Sequence, residues 1–212
     1  MGTNVPDSKI ILPLFCGGNA LYIAWMGGAK DVVIDLGEHF VKQSLRNRML
    51  LDGPNGILTI TFPVASNPAK RESSGEVRLY DEKRWKQQNW KSICSCYGSA
   101  PYFVDYSQDL QSLFEKKHNL LALFNIELCE LLLQWLGYNS SFTISQTYVE
   151  SKDGDLDYRI SFPPMRSNPY LQVFSDRHRF IEGLSILDLL FNLGPAAKNH
   201  SVVALPDNAR EL

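Results

Sequence analysis

Ile10-Ile-Leu-Pro-Leu-Phe-Cys-Gly-Gly-Asn-Ala20-Leu-Tyr-Ile-Ala-Trp-Met-Gly-Gly-Ala-Lys30-Asp-Val-Val-Ile-Asp35 is the stretch on which the fold turns. Ile10 to Phe15 is an apolar run suited to a buried strand. Pro13 removes a ladder donor and argues for an edge position or a bulge. Gly17-Gly18 lets the chain turn. Ala20 to Met26 is helix-compatible, with Leu21, Tyr22 and Trp25 at helical spacing, and Gly27-Gly28 predicts its end. Asp31 to Asp35 reads as a second short buried strand. Strand, helix and strand in so few residues predict a βαβ unit with a parallel pair.

Downstream, Gly37-Glu-His-Phe-Val-Lys-Gln-Ser-Leu-Arg-Asn-Arg48 is densely polar. Arg48–Leu51 and Ile57–Val64 read as two strands hinged at Gly53-Pro-Asn-Gly56, since Asn and Gly accept positive φ. Ser66 to Gly75 is a polar loop. Helical periodicity marks a segment from Arg84 to Tyr97, another from Pro101 to about Lys116, and the clearest from Asn119 to Leu136. Phe142–Tyr148 alternates like a strand, Tyr158–Ile160 is a candidate to pair beyond it, and Phe162–Tyr170 is Pro-rich and irregular. Ser185 and Asp188 have capping-box spacing before a final helix stopped by Gly194-Pro195. The fold class expected is α/β: an N-terminal strand-helix-strand unit and hairpin forming a mixed sheet, with several C-terminal helices packed on it. One domain spans 1–212, with a loosely attached tail from about 196.

The chain has 212 residues and a net charge of -2, which excludes a globally basic nucleic-acid coat. Four cysteines lack zinc-ligand spacing and read as free thiols of a reducing compartment. No metal site is implied and no cofactor is assigned. The longest apolar stretch, Leu128–Leu136, is broken by Glu130 and Gln134 and is too short to span a membrane. With no targeting signal at Met1, the expectation is a cytoplasmic protein.

The densest functional candidate is Lys42, Gln43, Arg46, Asn47 and Arg48. A helical turn places Lys42 and Arg46 on one face; an extended chain places Arg46 and Arg48 together. Either arrangement suits a small anionic ligand such as a nucleotide or sugar phosphate. Glu38 and His39 have the chemistry of a general acid/base pair, although neighbours on a strand face opposite ways. Tyr97 belongs to an aromatic belt (Trp85, Trp90, Tyr97, Tyr102, Phe103, Tyr106) whose rings stack on sugars and bases but whose spacing favours a core. Asp176, Arg177 and His178 form a second charged cluster, with Asp176 and His178 able to orient one another. Gly17-Gly18 sits where α/β proteins place phosphate against helix N–H groups, yet no phosphate-loop motif accompanies it. Asp188 reads as a helix cap.

Several segments resemble the WbqC-like family: Gly37 to Arg48, the Gly53-Pro-Asn-Gly turn with its Leu-Thr-Ile-Thr-Phe-Pro-Val64 strand, Trp90–Ile93 with Tyr97-Gly-Ser-Ala-Pro-Tyr-Phe103, Gln172–His178, and Leu184–Pro195. The likeness covers about Ile10 to Pro195. It implies a protein of bacterial surface-polysaccharide (O-antigen-type) biosynthesis, with aminoacyl (glycine) transfer to a sugar as the activity proposed for some members. The alternative is a non-catalytic ligand-binding or scaffold protein of the same assembly system. At Phe15-Cys16-Gly17-Gly18 and Leu21-Tyr22 the chain departs from the aromatic-x-Pro pattern of many members.

Overall fold

The computed structural model describes residues 8–65, 71–80, 83–139 and 142–204. Its centre is a four-stranded parallel sheet in the order β7-β2-β1-β8. Strand β1 (Ile10–Leu12) pairs with β2 (Val32–Asp35) in the register Ile10 to Val32, and helix α1 (Ala20–Gly28) crosses between them. The predicted βαβ unit is therefore the seed of the sheet.

Pro13 does not put β1 at an edge. The strand ends at Leu12, so the proline falls just beyond the ladder, and Ile10, Ile11 and Leu12 are completely buried between two neighbours. Gly27 and Gly28 do not stop α1 early either. They form its last turn, where a Cβ on Gly27 would meet the Tyr138 ring.

Next come the hairpin β3 (Arg48–Gly53) and β4 (Gly56–Thr61), then a short pair, β5 (Val64–Ala65) with β6 (Arg78–Leu79). The hairpin turn falls between Gly53 and Gly56, as its Pro-Asn-Gly chemistry predicts. Among the described residues the hairpin is a sheet of its own, not part of a larger mixed one.

Helices α2 (Lys83–Tyr97), α3 (Phe103–Glu115) and α4 (Leu121–Trp135) follow. Helix α4 buries Phe124, Leu128 and Leu132 on one stripe, as its periodicity predicts. Asn119 does not cap it: the cap position is Leu120, with no side-chain bond. Phe124 packs with Phe62, Trp85 and Phe114, locking α2, α3 and α4 onto the hairpin.

Strand β7 (Phe142–Ser145) then joins the sheet beside β2, and β8 (Leu156–Asp157) beside β1. Tyr158, expected inside the later strand, sits just past it but still donates its N–H to Ile11 at 2.9 Å. Strand β9 (Met165–Ser167) lies within the Pro-rich segment. Helix α5 (Ile186–Leu193) is capped by the Ser185 hydroxyl, which accepts from Leu187 N–H. The residues expected as a loose tail are attached through Ala204: a 3-10 turn (Gly194–Asn199) leads to β10 (Val202–Ala204), antiparallel to β9.

Candidate functional site

Two buried polar centres stand out, and the predicted site residues divide between them. The first gathers at the C-terminal ends of the parallel strands, where open α/β sheets commonly place ligands. Asp35 ends β2 fully buried; its Oδ1 accepts from the N–H groups of Gly37 (2.8 Å) and Glu38 (3.1 Å), bending the chain. Gly37 is required there, since a Cβ would lie 2.0 Å from the Tyr148 nitrogen. The other Asp35 oxygen accepts from Arg159, whose guanidinium also grips Asp157 and lies 4.2 Å from the Tyr148 ring. Arg46 forks onto Glu38 with two 2.7 Å bonds and donates to the Arg159 carbonyl at 2.8 Å. Ser74 donates to the same Glu38 oxygen at 3.2 Å. Burial raises the Glu38 pKa, and the bonds from Arg46 and Ser74 hold it back.

Arg46 and Glu38 are thus spent on each other. Glu38 and His39 do not form an acid/base pair: Glu38 is buried, whereas His39 is exposed with Nδ1 3.2 Å from the Arg71 carbonyl. Nor do Lys42 and Arg46 share a face. Residues 42–47 form turns rather than a helix, with Gln43 at φ 58°, Lys42 outside and Arg46 inside. Asn47 is buried; its amide donates to the Phe62 carbonyl at 3.2 Å, and its Oδ1 has no partner among the described residues. Arg48 opens β3 half-buried, its Nε buried and likewise without a hydrogen-bond partner among the described residues.

The second centre is built around Asp52 and Asp188, both completely buried. Asp52 N–H donates to the Tyr97 hydroxyl at 2.9 Å, and that hydroxyl also lies close enough to Asp188 to hold back its pKa. Asp188 Oδ2 also accepts from the Tyr170 hydroxyl at 2.5 Å and from Gln172 Nε2 at 2.9 Å. His178 Nε2 lies 3.2 Å from Asp52 Oδ1 and 3.0 Å from the Gly53 carbonyl, while its Nδ1 lies 3.1 Å from the Arg179 carbonyl. The Asp52 contact is one of charge, because Oδ1 has no aligned hydrogen-bond donor among the described residues.

Electrostatics set this centre apart. Burial pushes the Asp188 carboxyl up to about 6, helped by the Asp52 charge and opposed by bonds from Tyr170, Gln172 and Tyr97. Burial also raises Asp52, against the Phe174 N–H and the His178 charge. His178 is raised as well, which for an imidazole favours the cation, by the Arg179 and Gly53 carbonyls and then by Asp52 and Asp176. Carboxylates shifted by desolvation beside another charge cluster at functional sites and also occur in structural ion-pair networks.

Of the predicted residues, Tyr97 and His178 therefore meet, at Asp52. Asp176 and Arg177 stay outside, exposed and 4.0 Å apart. Asp188 is not a helix cap; it points into the core against Tyr170 and Gln172. Asp52, Tyr170, Gln172 and Asp188 are the residues sequence reasoning missed. The signal for Asp188 was present: a carboxylate inside the otherwise apolar Leu187–Phe191 run must be buried with it.

Strand alternation places Arg48, Leu50 and Asp52 on one side of β3, opposite Thr61, Thr59 and Ile57 of β4. Arg48 and Leu50 are half-buried, and Thr59 and Thr61 exposed. Four residues of strand rise separate the Arg48 end from the Asp52 end by about 13 Å. The start of α1, in contrast, has no room for a phosphate. Asn19 Oδ1 caps it by accepting from Tyr22 N–H, Ile186 N–H donates to the Gly18 carbonyl, and a Cβ on Gly17 would lie 2.6 Å from Met49 Cε.

Comparison with known proteins places the chain within a family. The family model described as "WbqC-like protein family" matches residues 22–161, and the chain belongs to that family. A protein of Mycobacterium tuberculosis (strain ATCC 25618 / H37Rv), the uncharacterized protein Rv1507c, is 25% identical over 217 residues, covering 84% of this chain and 93% of that protein. No solved structure matches. Arg48, Asp52 and Tyr97 lie inside the matched residues; Tyr170, Gln172, His178 and Asp188 lie beyond them. Among the described residues no helix is long and apolar enough to cross a membrane, and no cluster of three or more metal-ligating side chains occurs.

Proposed function

We propose that this WbqC-like protein is a transferase of bacterial surface-polysaccharide assembly, moving an aminoacyl group such as glycyl from an anionic activated donor to a sugar amine or hydroxyl. The observation that carries the reading is the Asp52–Asp188 centre, two buried carboxylates with raised pKa values and the partly exposed His178 3.2 Å from Asp52. The donor's anionic group would lie against Arg48, with Lys42 and Gln43 on the neighbouring turn. The acceptor would lie toward Asp52. The acceptor nitrogen or oxygen bonds to the acyl carbon, the bond to the anionic leaving group breaks with its electron pair, and the acceptor proton passes to Asp52 Oδ1. The cationic His178 steadies that exchange; with both ring nitrogens facing carbonyl oxygens, it serves as a charge and a proton donor rather than as the base. Glu38 and Arg46 hold the scaffold under this site.

The second reading, a non-catalytic binding or scaffold protein, is favoured by one observation: Arg46, the central cation of the sequence-defined cluster, is already neutralised by Glu38. Thermal-shift screening of activated amino acids, nucleotide sugars and amino sugars, followed by a transfer assay on the compounds that bind, separates the two. The transferase reading expects Asp52→Asn to bind ligand normally and to lose about 10²- to 10⁴-fold in rate. Binding without turnover in the natural chain, across all donor and acceptor pairs, removes the transferase reading.

A further inference from the structure

Between β9 and α5 the chain runs without helix or strand, and residues 172–181 close on themselves. Gln172 ties the two ends together: its Nε2 donates to the Ile181 carbonyl and its Oε1 accepts from Ile181 N–H, both at 2.9 Å. Inside the loop, Gln172 N–H donates to Ser175 Oγ and Arg177 N–H to the Phe174 carbonyl, each at 2.9 Å. A loop that satisfies its own backbone in this way keeps its shape and can move as one piece. On either side the chain is loosely held. Leu171 is 80% exposed, and Gly183 turns at φ 76° with no atom within 4 Å of where a Cβ would stand.

The attachments of this loop are few, and they converge. From residues 173–179, among the described residues, each hydrogen bond or ion pair that leaves the loop goes to the Asp52–Gly53 end of β3. Phe174 N–H donates to Asp52 Oδ2 at 3.4 Å, and His178 Nε2 lies 3.2 Å from Asp52 Oδ1 and 3.0 Å from the Gly53 carbonyl. Val173 adds apolar contact with the core, and Phe180 meets the Tyr170 ring edge-on at 5.0 Å. Asp52 is completely buried beneath these contacts, yet its Oδ1 has no aligned hydrogen-bond donor among the described residues. The loop thus covers a carboxylate whose bonding capacity it leaves partly unused.

We propose that residues 172–181 are a lid over Asp52, closed by Gln172 and latched by His178, and that it lifts as a unit to let a small ligand reach the carboxylate. What the ligand then undergoes rests on the transfer reading above; the lid rests on the loop's own geometry. Motions of this kind admit ligand and then exclude water from many sites.

The latch works as a cation. A neutral imidazole has one N–H and cannot serve both the Gly53 and the Arg179 carbonyls, which lie 3.0 and 3.1 Å from its two nitrogens. The charged groups around it are Asp52 from β3 and Asp176 on its own loop, with Arg177 and Arg179 on either side in sequence. Asp188 stands behind Asp52, and Cys96 and Tyr97 of α2 are kept neutral there by burial. His178 is raised above its ordinary 6.5, so the latch is complete below that pH and is lost as the pH rises through the folded value. Asp188, at about 6, titrates on the acid side of that loss.

The test combines hydrogen–deuterium exchange of the full chain, corrected for intrinsic rates, with carbodiimide labelling of carboxylates at pH 6.5. Neither uses a transfer substrate, so failure of the transfer reading and failure of the lid are separate results. Residues 173–180 are expected to exchange about tenfold or more faster than Arg48–Gly53, and to speed up several-fold between pH 6.5 and 8.5 while the hairpin stays constant. His178→Gln should abolish that pH dependence and raise both loop exchange and Asp52 labelling several-fold at pH 6.5. Loop exchange as slow as the hairpin's at every pH overturns the lid. Exchange that speeds up in His178→Gln without faster labelling of Asp52 overturns the covering role. Exchange indifferent to pH and to His178→Gln overturns the latch. Thermal unfolding identifies a folding defect, and if His178→Gln has one, the pH series on the natural chain decides the matter.

Discussion

The chain buries two sets of charged side chains and treats them in opposite ways. Around Asp35, Glu38 and Asp157, two arginines meet three carboxylates, with forked bonds closing the Arg46–Glu38 and Arg159–Asp157 pairs. Around Asp52 and Asp188, Tyr170 and Gln172 bond the Asp188 carboxylate and the half-covered His178 lies beside that of Asp52, with no arginine or lysine bonded to either among the described residues. The first arrangement spends its charges on holding loops at the end of the sheet. The second leaves charge incompletely balanced, the condition under which a carboxylate can exchange protons near neutrality. Charge density in a sequence does not tell these apart; the partners do.

The comparison is most easily broken at Arg46. Arg46→Ala should lower stability by about 3–5 kcal/mol, because it strands Glu38 in the interior, and Glu38→Leu/Arg46→Leu should recover most of that loss. Urea unfolding measures both; an Arg46→Ala chain of unchanged stability would return the arginine to the ligand site.

A second expectation concerns acid. The folded-state pKa of Asp188, about 6, stands above its unfolded value of about 3.9, so the folded chain holds that proton more tightly. Its contribution is fully present below about pH 4 and is lost as the pH rises through about 6. Burial raises Glu38 and Asp52 in the same sense, whereas bonds to Arg159 lower Asp157 in spite of its burial, and that group stabilises only above its unfolded pKa. The difference between the natural chain and Asp188→Asn isolates the group: it should change by about 2–3 kcal/mol between pH 4 and 7, with the variant losing less on going to pH 7.

Smaller effects sharpen the contrast. Tyr170→Phe removes one bond to Asp188 and should cost about 1.5 kcal/mol while moving the carboxyl still higher, a shift that carbon-detected NMR titration can follow. At the exposed Lys116–Glu127 pair, Lys116→Ala should change stability by under about 1 kcal/mol.

Much of the framework was legible because local rules agree with the tertiary answer. The βαβ start, the Pro-Asn-Gly turn and helices α2 to α5 each carry their own periodicity and punctuation. Pro13 misled because its penalty applies only within a ladder, and the strand stops one residue earlier. The hairpin stands apart from the parallel sheet and packs on α2 and α5, which no local pattern encodes. At the site, Tyr97 and His178 could be named but not paired, since Asp52, which joins them, lies 45 and 126 positions away. Arg46 had the chemistry of a ligand fork; that its ligand is Glu38 follows only from the turn at Asp35.

The Tyr97–Asp52–His178 junction has a consequence for how the molecule is made. Asp52 and Tyr97 leave the ribosome early, whereas Tyr170, Gln172, His178 and Asp188 come from the last fifth of the chain. Strands β7 and β8 also join the sheet late, on either side of a pair laid down at the start. Until residues 170–188 have been made, the aspartate has neither its histidine nor the second carboxylate nearby, and a chain cut short before them holds half a centre. Contacts of such long sequence separation form slowly. The Asp52–Asp188 centre is therefore assembled only after its two distant halves are both in place.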